Sequence, residues 1–400
     1  MKVSKRKILD QSLLLITLAI SGMPYFSSAI FNAPLSIVLL AFFVIRRKKF
    51  DVVFFYLISF FVVVTGFQTI VFNFLPIETI VGAFLRITNG YLIVKILQEN
   101  FIIYFVNIFF KISAISLCFF IPILLIPGLG ESLRQVASLL QIFDIAGSEV
   151  DSLIFYTLHW KFLYRNPGPF WEAGAFAGFV ILALVFNAFI ENKNKKLKQA
   201  VFIATIFSTF STTAYLALMI FAFLYYYRSI KNIFLKGFLV SLIGLFSYFA
   251  FVNISFLSEK IVHQVNQSVT LDAYKDTDNS ARFFSALRDF QDIKGYEITG
   301  RGWNPKTRYS AGEETQIRTV GMTDILVKMG VPYFLFMFFV LHRSVRIFLK
   351  YYNNNHFLNY NTVFLMIILT LMSQSYFNFP IYWSFLFMSC VYKEPFLKKT

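Results

Sequence analysis

The sequence predicts an all-α polytopic membrane protein with about 12 membrane segments. Three observations carry that prediction. The 400 residues are 57% hydrophobic and only 14% charged, with a mean hydropathy of +0.64, values that belong to chains with many spans. Apolar runs recur along the chain, several near the roughly 20 residues needed to cross ~30 Å of hydrocarbon. Short basic clusters separate them: "KVSKRK" (2–7), "RRKK" (46–49), "KNKKLK" (193–198), "RSIKNIFLK" (228–236), "RSVRIFLK" (343–350) and "KEPFLKK" (393–399). A net charge of +16 spread over such loops reads as anchoring beside anionic lipid, so no nucleic-acid partner is expected.

In order along the chain, "MKVSKRK" leads into a first span held by its basic start, without a small-residue cleavage site. Spans over 9–27, 29–45, 51–73, 77–96 and 101–126 form an N-terminal group, residues 1–126. A first large loop covers 127–168. Segment 169–190 opens the central group, 169–256, which segment 237–256 closes. Between them, residues 199–227 lie between two basic clusters, so the chain must enter and return, yet two full spans would need about 40 residues. The middle of that stretch reads "FSTFSTTAY" (207–215). This predicts a hairpin of two short helices with a hydroxyl-rich tip. Irregular backbone at depth is tolerated only where it is buried or faces water, so the tip should line a polar cavity. The competing reading is one long tilted span.

A second large loop, 257–318, holds nine Lys/Arg and nine Asp/Glu. That balance suits a folded or substrate-contacting cap. Spans 319–341, 358–377 and 379–392 complete a C-terminal group, 319–400. With all six basic clusters in the cytoplasm the positive-inside rule is obeyed, both termini are cytoplasmic and both large loops face outward.

Few residues carry chemistry. "YRNPGPFWEAGAFAGFVILALVF" (164–186) puts Arg165, Trp171 and Glu172 at the outer lip of a helix rich in Ala and Gly. Small residues admit a close neighbour or ligand. The helix N-terminus and Arg165 together make a natural anion site. The plainer reading is a snorkelling arginine and a glutamate that complements the helix dipole. "NSARFFSALRDFQDIKGYEITGRGWN" (279–304) puts Arg282 and Arg288 on an amphipathic helix, followed by Arg301 in a glycine-rich turn. Guanidinium groups offer fixed bidentate donors to phosphate; the plainer reading of any one of them alone is a solvated surface charge. Arg86 sits near the middle of segment 77–96 and Lys111 within 101–126. An arginine at that depth calls for a partner or an anionic ligand, while Lys111 can snorkel. The four histidines, His159, His263, His342 and His356, show no ligand spacing, and no metal or cofactor is expected. Cys118 and Cys390 read as buried thiols.

Four stretches, taken in order, resemble the O-antigen ligase/polymerase-like superfamily, closest to the O-antigen polymerases that join lipid-linked oligosaccharide repeat units. They are "RNPGPFWEAGAFAGF", "FSTFSTTAYLAL", "SARFFSALRDFQDIKGYEITGRGWN" and "TVGMTDILVKMGVPYFLF". The resemblance implies a glycan on undecaprenyl diphosphate, used at the outer face of the bacterial inner membrane for lipopolysaccharide or capsule. It also implies metal-independent glycosyl transfer, with Arg165 and Arg282 on the diphosphate, and leaves room for a chain-length regulator protein as a partner. Arg288, Arg301, Arg86 and Trp171 are the further substrate-binding candidates, and Glu172 is the candidate base, with His263 and the loop carboxylates as rivals. Ligases of the superfamily carry a His-Asn pair where Thr319 and Val320 stand here, which favours polymerase over ligase. The family's Pro-Asn is replaced by Ala173 and Gly174. A lipid-linked glycan transporter or flippase is the rival from another class. It would require interrupted helices in both halves, a symmetry not evident in the sequence.

Overall fold

A computed structural model describes residues 2–139, 150–227, 282–309 and 318–392, with isolated positions between 230 and 241, and gives only the backbone at 2–4 and 282–284. The helices are α1 Lys2–Ile20, α2 Asn32–Ile45, α3 Val52–Phe72, α4 Ile77–Leu97, α5 Asn100–Leu125, α6 Leu129–Leu139 and α7 Ala173–Phe189. There follow α8 Lys195–Ser208, α9 Thr212–Tyr227, α10 Arg282–Asp292, α11 Pro305–Arg308, α12 Gly321–Tyr351, α13 Phe357–Ser373 and α14 Pro380–Ser384. The strands among the described residues are β1 Val150–Ser152 and β2 Thr157–His159, antiparallel, with Val150 opposite His159. The protein is mostly helical, and α3, α4, α5 and α12 are long and apolar enough to cross a membrane. Their outward faces stay apolar: Val62 and Ile70 on α3 and Phe339 on α12 are exposed.

Successive helices run back and forth, so the bundle has two ends. At one, Arg46 pairs with Asp10, Lys95 with Asp51 at 2.7 Å, and Lys198 Nζ donates to Asn107 Oδ1 at 2.6 Å. The clusters at 2–7, 46–49 and 193–198 share this basic end. At the other, the loop end, the turn after α1 meets the start of α7, where a side chain at Gly22 would strike Trp171. The tip between α8 and α9, and the starts of α10 and α12, lie at the same end. Every residue of α7 is buried, because its Ala and Gly positions let neighbours close in. Tyr376 lies against Gly178 and its hydroxyl donates to the Ala175 carbonyl at 2.9 Å.

Several sequence expectations change. The 199–227 stretch is two short helices, α8 and α9, joined at Thr209–Ser211, but the space beside that tip is small. Ser211, Thr213, Thr370 and Ser373 bound about 10 Å³, close to the ~10–15 Å³ one water needs. Segment 169–190 becomes helical only at Ala173, since the two-proline approach runs as irregular chain. Segment 319–341 continues through the basic cluster to Tyr351, with a kink at Gly330 (φ 74). Segment 379–392 is not a single helix. The five residues of α14 are followed by a 3-10 stretch, Phe385–Cys390, buried on all but its last turn's edge. Full packing replaces helical regularity there. Cys118 is exposed on α5 rather than buried. Segment 237–256 and His263 fall outside the described residues, apart from isolated positions in the former.

Candidate functional site

Two groups of charged residues occupy the loop end, and local backbone chemistry builds each. The first is the lip. Asn166 fixes it: its N–H donates to the Ser208 carbonyl at 3.0 Å, and its amide donates to Ser208 Oγ (2.9 Å) and Ser116 Oγ (3.2 Å). Its Oδ1 accepts from Gly168 N–H at 3.0 Å. One buried asparagine therefore ties the approach loop to α5 and to the end of α8. Arg165, next in sequence, is half-buried, and its Nε donates to the Thr209 carbonyl at 3.1 Å. Its terminal nitrogens make no hydrogen bond or ion pair among the described residues. Seven residues on, Glu172 occupies the N-cap position of α7 in extended conformation, but its side chain does not cap the helix. It accepts a hydrogen bond from Gln374 Nε2 at 2.7 Å and has no cationic partner among the described residues. Trp171 packs on Phe379 (5.1 Å between ring centres) and over Gly22. Its role here is to wedge α1 against the 374–379 turn.

The second group is a latch between the outward loop and α12. Pro332 has no N–H, so the Lys328 carbonyl loses its helical donor. The positive φ at Gly330 also diverts the Val331 N–H from its helical acceptor. The turn "GYEITGRGWN" satisfies these groups. Arg301 N–H donates to the Val327 carbonyl (2.7 Å), Gly302 N–H to the Lys328 carbonyl (3.0 Å), and Val331 N–H to the Glu297 carbonyl (2.7 Å). Gln68 of α3 also donates to the Lys328 carbonyl, at 2.8 Å. Loop and broken helix approach so closely that a side chain at Gly300 would meet Gly330, and one at Gly330 would meet the Ile298 carbonyl.

Beside this joint, Arg308 is 1% exposed. It reaches Asp289, Asp292 (3.2 Å) and Asp324 (3.1 Å). Arg318 joins Asp292 at 3.1 Å, and Lys328 Nζ donates to Asp324 Oδ2 at 2.6 Å and to Asn378 Oδ1 at 3.1 Å. Burial works against the charge on Arg308, but Asp324, Asp289 and Asp292 outweigh it and hold its pKa above the ordinary guanidinium value. Three carboxylates and three cations thus neutralise one another inside the protein, where each would be costly alone.

The proposed site residues divide between these groups. Arg165 and Glu172 share the lip. Arg301 belongs to the latch. Its guanidinium donates to the carbonyls of Thr307 (2.7 Å), Tyr309 (3.0 Å) and Asp292 (3.2 Å). These bonds close the loop around it. Arg288 is half-buried on α10. Arg282 begins α10; three residues later, Ser285 Oγ accepts from Thr319 N–H at 3.0 Å, placing this helix start beside the entry to α12. Arg86 stands apart on α4. Its guanidinium lies 5.9 Å from the Trp303 ring, its buried Nε has no hydrogen-bond partner, and Lys328 Nζ lies 4.5 Å from the same ring.

Sequence reasoning missed Asn166, Gln374 and the latch carboxylates. Asp324 and Lys328 did carry a signal, as an acid and a base four residues apart in an otherwise apolar helix. Among the described residues no group of three or more His, Cys, Asp or Glu is placed to hold a metal ion. No protein-family model matches the chain, and no curated protein matches it.

Proposed function

We propose that the chain is a membrane glycosyltransferase that polymerises undecaprenyl-diphosphate-linked oligosaccharide repeat units into a surface polysaccharide, O-antigen or capsule. The carrying observation is the lip. Arg165 and Glu172 are left without opposite charges at the very end of the bundle where other ionised groups neutralise one another. A half-buried guanidinium with free donors suits an anionic ligand, and a carboxylate without a cation remains able to take a proton.

In this reading the loop end faces outward from the bacterial inner membrane, both termini are cytoplasmic, and about twelve segments make the crossing. The acceptor sugar hydroxyl attacks the anomeric carbon of the donor. The bond from that carbon to the diphosphate oxygen breaks, and polyprenyl diphosphate leaves. The leaving group gains charge, which Arg165 and Arg282 stabilise, with Arg288 and Arg86 assisting. Glu172 Oε1, not engaged by Gln374, takes the hydroxyl proton.

Alanine replacement of Arg165 and Arg282, with glycan length read on gels and protein abundance measured in parallel, tests the reading. Polymerase predicts single-unit glycan with abundant protein. Loss of all attached glycan would indicate a ligase, and normal long chains in both variants would overturn the proposal.

A further inference from the structure

One short turn touches both the lip and the latch. Residues 374–379 follow α13 and lie against the start of α12. On the latch side, Ser375 Oγ donates to the Arg318 carbonyl at 3.2 Å, and Asn378 Oδ1 accepts from Lys328 Nζ at 3.1 Å. A side chain at Gly321 would strike the Gln374 carbonyl and the Ser375 Cα, so the turn and the helix start are in direct contact. On the lip side, the Tyr376 hydroxyl donates to the Ala175 carbonyl, Phe379 packs on Trp171, and Gln374 Nε2 donates to Glu172 Oε2 at 2.7 Å. We infer that Gln374 is the positioning residue for the Glu172 carboxylate, and that its turn carries the order of the latch into the lip. The inference rests on the proposed function for the task of Glu172, not for the way Glu172 is held.

The bond from Gln374 is the one hydrogen bond that the Glu172 carboxylate accepts among the described residues. Without it the side chain can turn freely, since Glu172 neither caps α7 nor meets a cation there. A carboxylate only accepts, so the amide nitrogen of Gln374 must face it, and the orientation of the amide follows. Oε2 is engaged and Oε1 is left as the open acceptor. A neutral donor suits this task. An arginine or lysine in its place would pair the charge, as Arg308 and Lys328 do in the latch. Gln374 is itself fixed from behind, because its carbonyl lies against Gly321 and accepts from Tyr376 N–H at 2.8 Å.

The test labels carboxylates of the full-length protein in lipid nanodiscs with a water-soluble carbodiimide and an amine, read by mass spectrometry. Glu78, exposed in the first turn of α4, is the internal reference. Gln374 is half-buried, and Gln374→Met keeps its length while removing the donor. Glu172 should then be modified about fivefold faster, the equivalent of one neutral hydrogen bond. Ser375→Ala with Asn378→Ala alters neither Glu172 nor Gln374, yet should quicken modification about twofold to threefold by loosening the turn. Gln374→Lys restores a donor and should return the rate to within about twofold of the parent. In transfer assays Gln374→Met should lower kcat about tenfold with KM little changed, because the carboxylate is misplaced rather than lost. Gln374→Lys should leave kcat low even though Glu172 is held again, because the charge is now paired. A merely structural role would have labelling and turnover recover together.

Unchanged labelling of Glu172 in Gln374→Met, or in the Ser375 and Asn378 pair, would overturn the inference. So would recovery of both labelling and turnover in Gln374→Lys. If Gln374→Met does not fold, the Ser375 and Asn378 pair still decides, since it leaves Gln374 in place. Labelling is read without glycan, so the two ideas fail separately. Labelling that responds as expected while turnover stays normal would remove Glu172 as the base and leave its positioning intact.

Discussion

The lip around Arg165 and the latch around Arg308 lie at the same end of the bundle and use the same residue types, but they are built oppositely. In the latch, Arg308, Arg318 and Lys328 meet Asp289, Asp292 and Asp324, and solvent is nearly excluded. In the lip, Arg165 holds one carbonyl and Glu172 one amide, and both remain partly exposed. Charge that has been neutralised fixes a shape. Charge held in place yet left unpaired is available to a ligand. In the proposed reading, the difference separates residues that would position the site from residues that would act in it.

The largest effect should come from breaking the latch. Arg308→Ala leaves three buried carboxylates facing only Arg318 and Lys328 and should cost about 3–5 kcal/mol, read as a lower thermal unfolding midpoint in detergent. A variant as stable as the parent would mean the network is open to water. Arg165→Ala should sharpen the contrast from the other side. Its stability should change by less than about 0.5 kcal/mol, while transfer falls about 10²–10³-fold through the lost donor to the leaving group. If it unfolds as readily as Arg308→Ala, the two regions are not different in kind.

Glu172→Gln can keep the hydrogen bond from Gln374 in either amide orientation of its partner but cannot accept a proton. It should lower kcat by about 10², the low end for a general base, with substrate binding little changed. Equal loss of binding and turnover would make Glu172 an orienting group. The smallest effect concerns pH at the latch turn. Glu297 is exposed, and its own N–H and that of Gly295 hold its pKa below the ordinary glutamate value. A depressed carboxylate favours the folded turn above the usual range of about 4.3, and that contribution disappears as pH falls through the folded value. Amide exchange at Gly295 should therefore quicken on acidification relative to the intrinsic rate, and Glu297→Gln should abolish the excess.

Much of this was legible from sequence, for local reasons. The hairpin at 199–227 followed from chain length between basic clusters, and the strained turn at 295–302 from its three glycines. The small residues after Glu172 announced a helix that others could crowd, and α7 is wholly buried. Other features had no local signature. Arg301 looks in sequence like any loop arginine, and only the fold of 292–309 around it turns it inward. The buried 3-10 stretch at 385–390 reads as an apolar span, because hydropathy records composition and not whether lipid or protein surrounds it.

The sequence by itself determined that this is a helical protein of apolar segments with basic clusters gathered at the turns, since hydrophobicity and charge act residue by residue. Tertiary structure alone decided which charges are spent and which remain. Neutralisation depends on distances between groups such as Arg308 and Asp289, nineteen residues apart, or Glu172 and Gln374, far apart along the chain. Those distances exist only once the helices have packed.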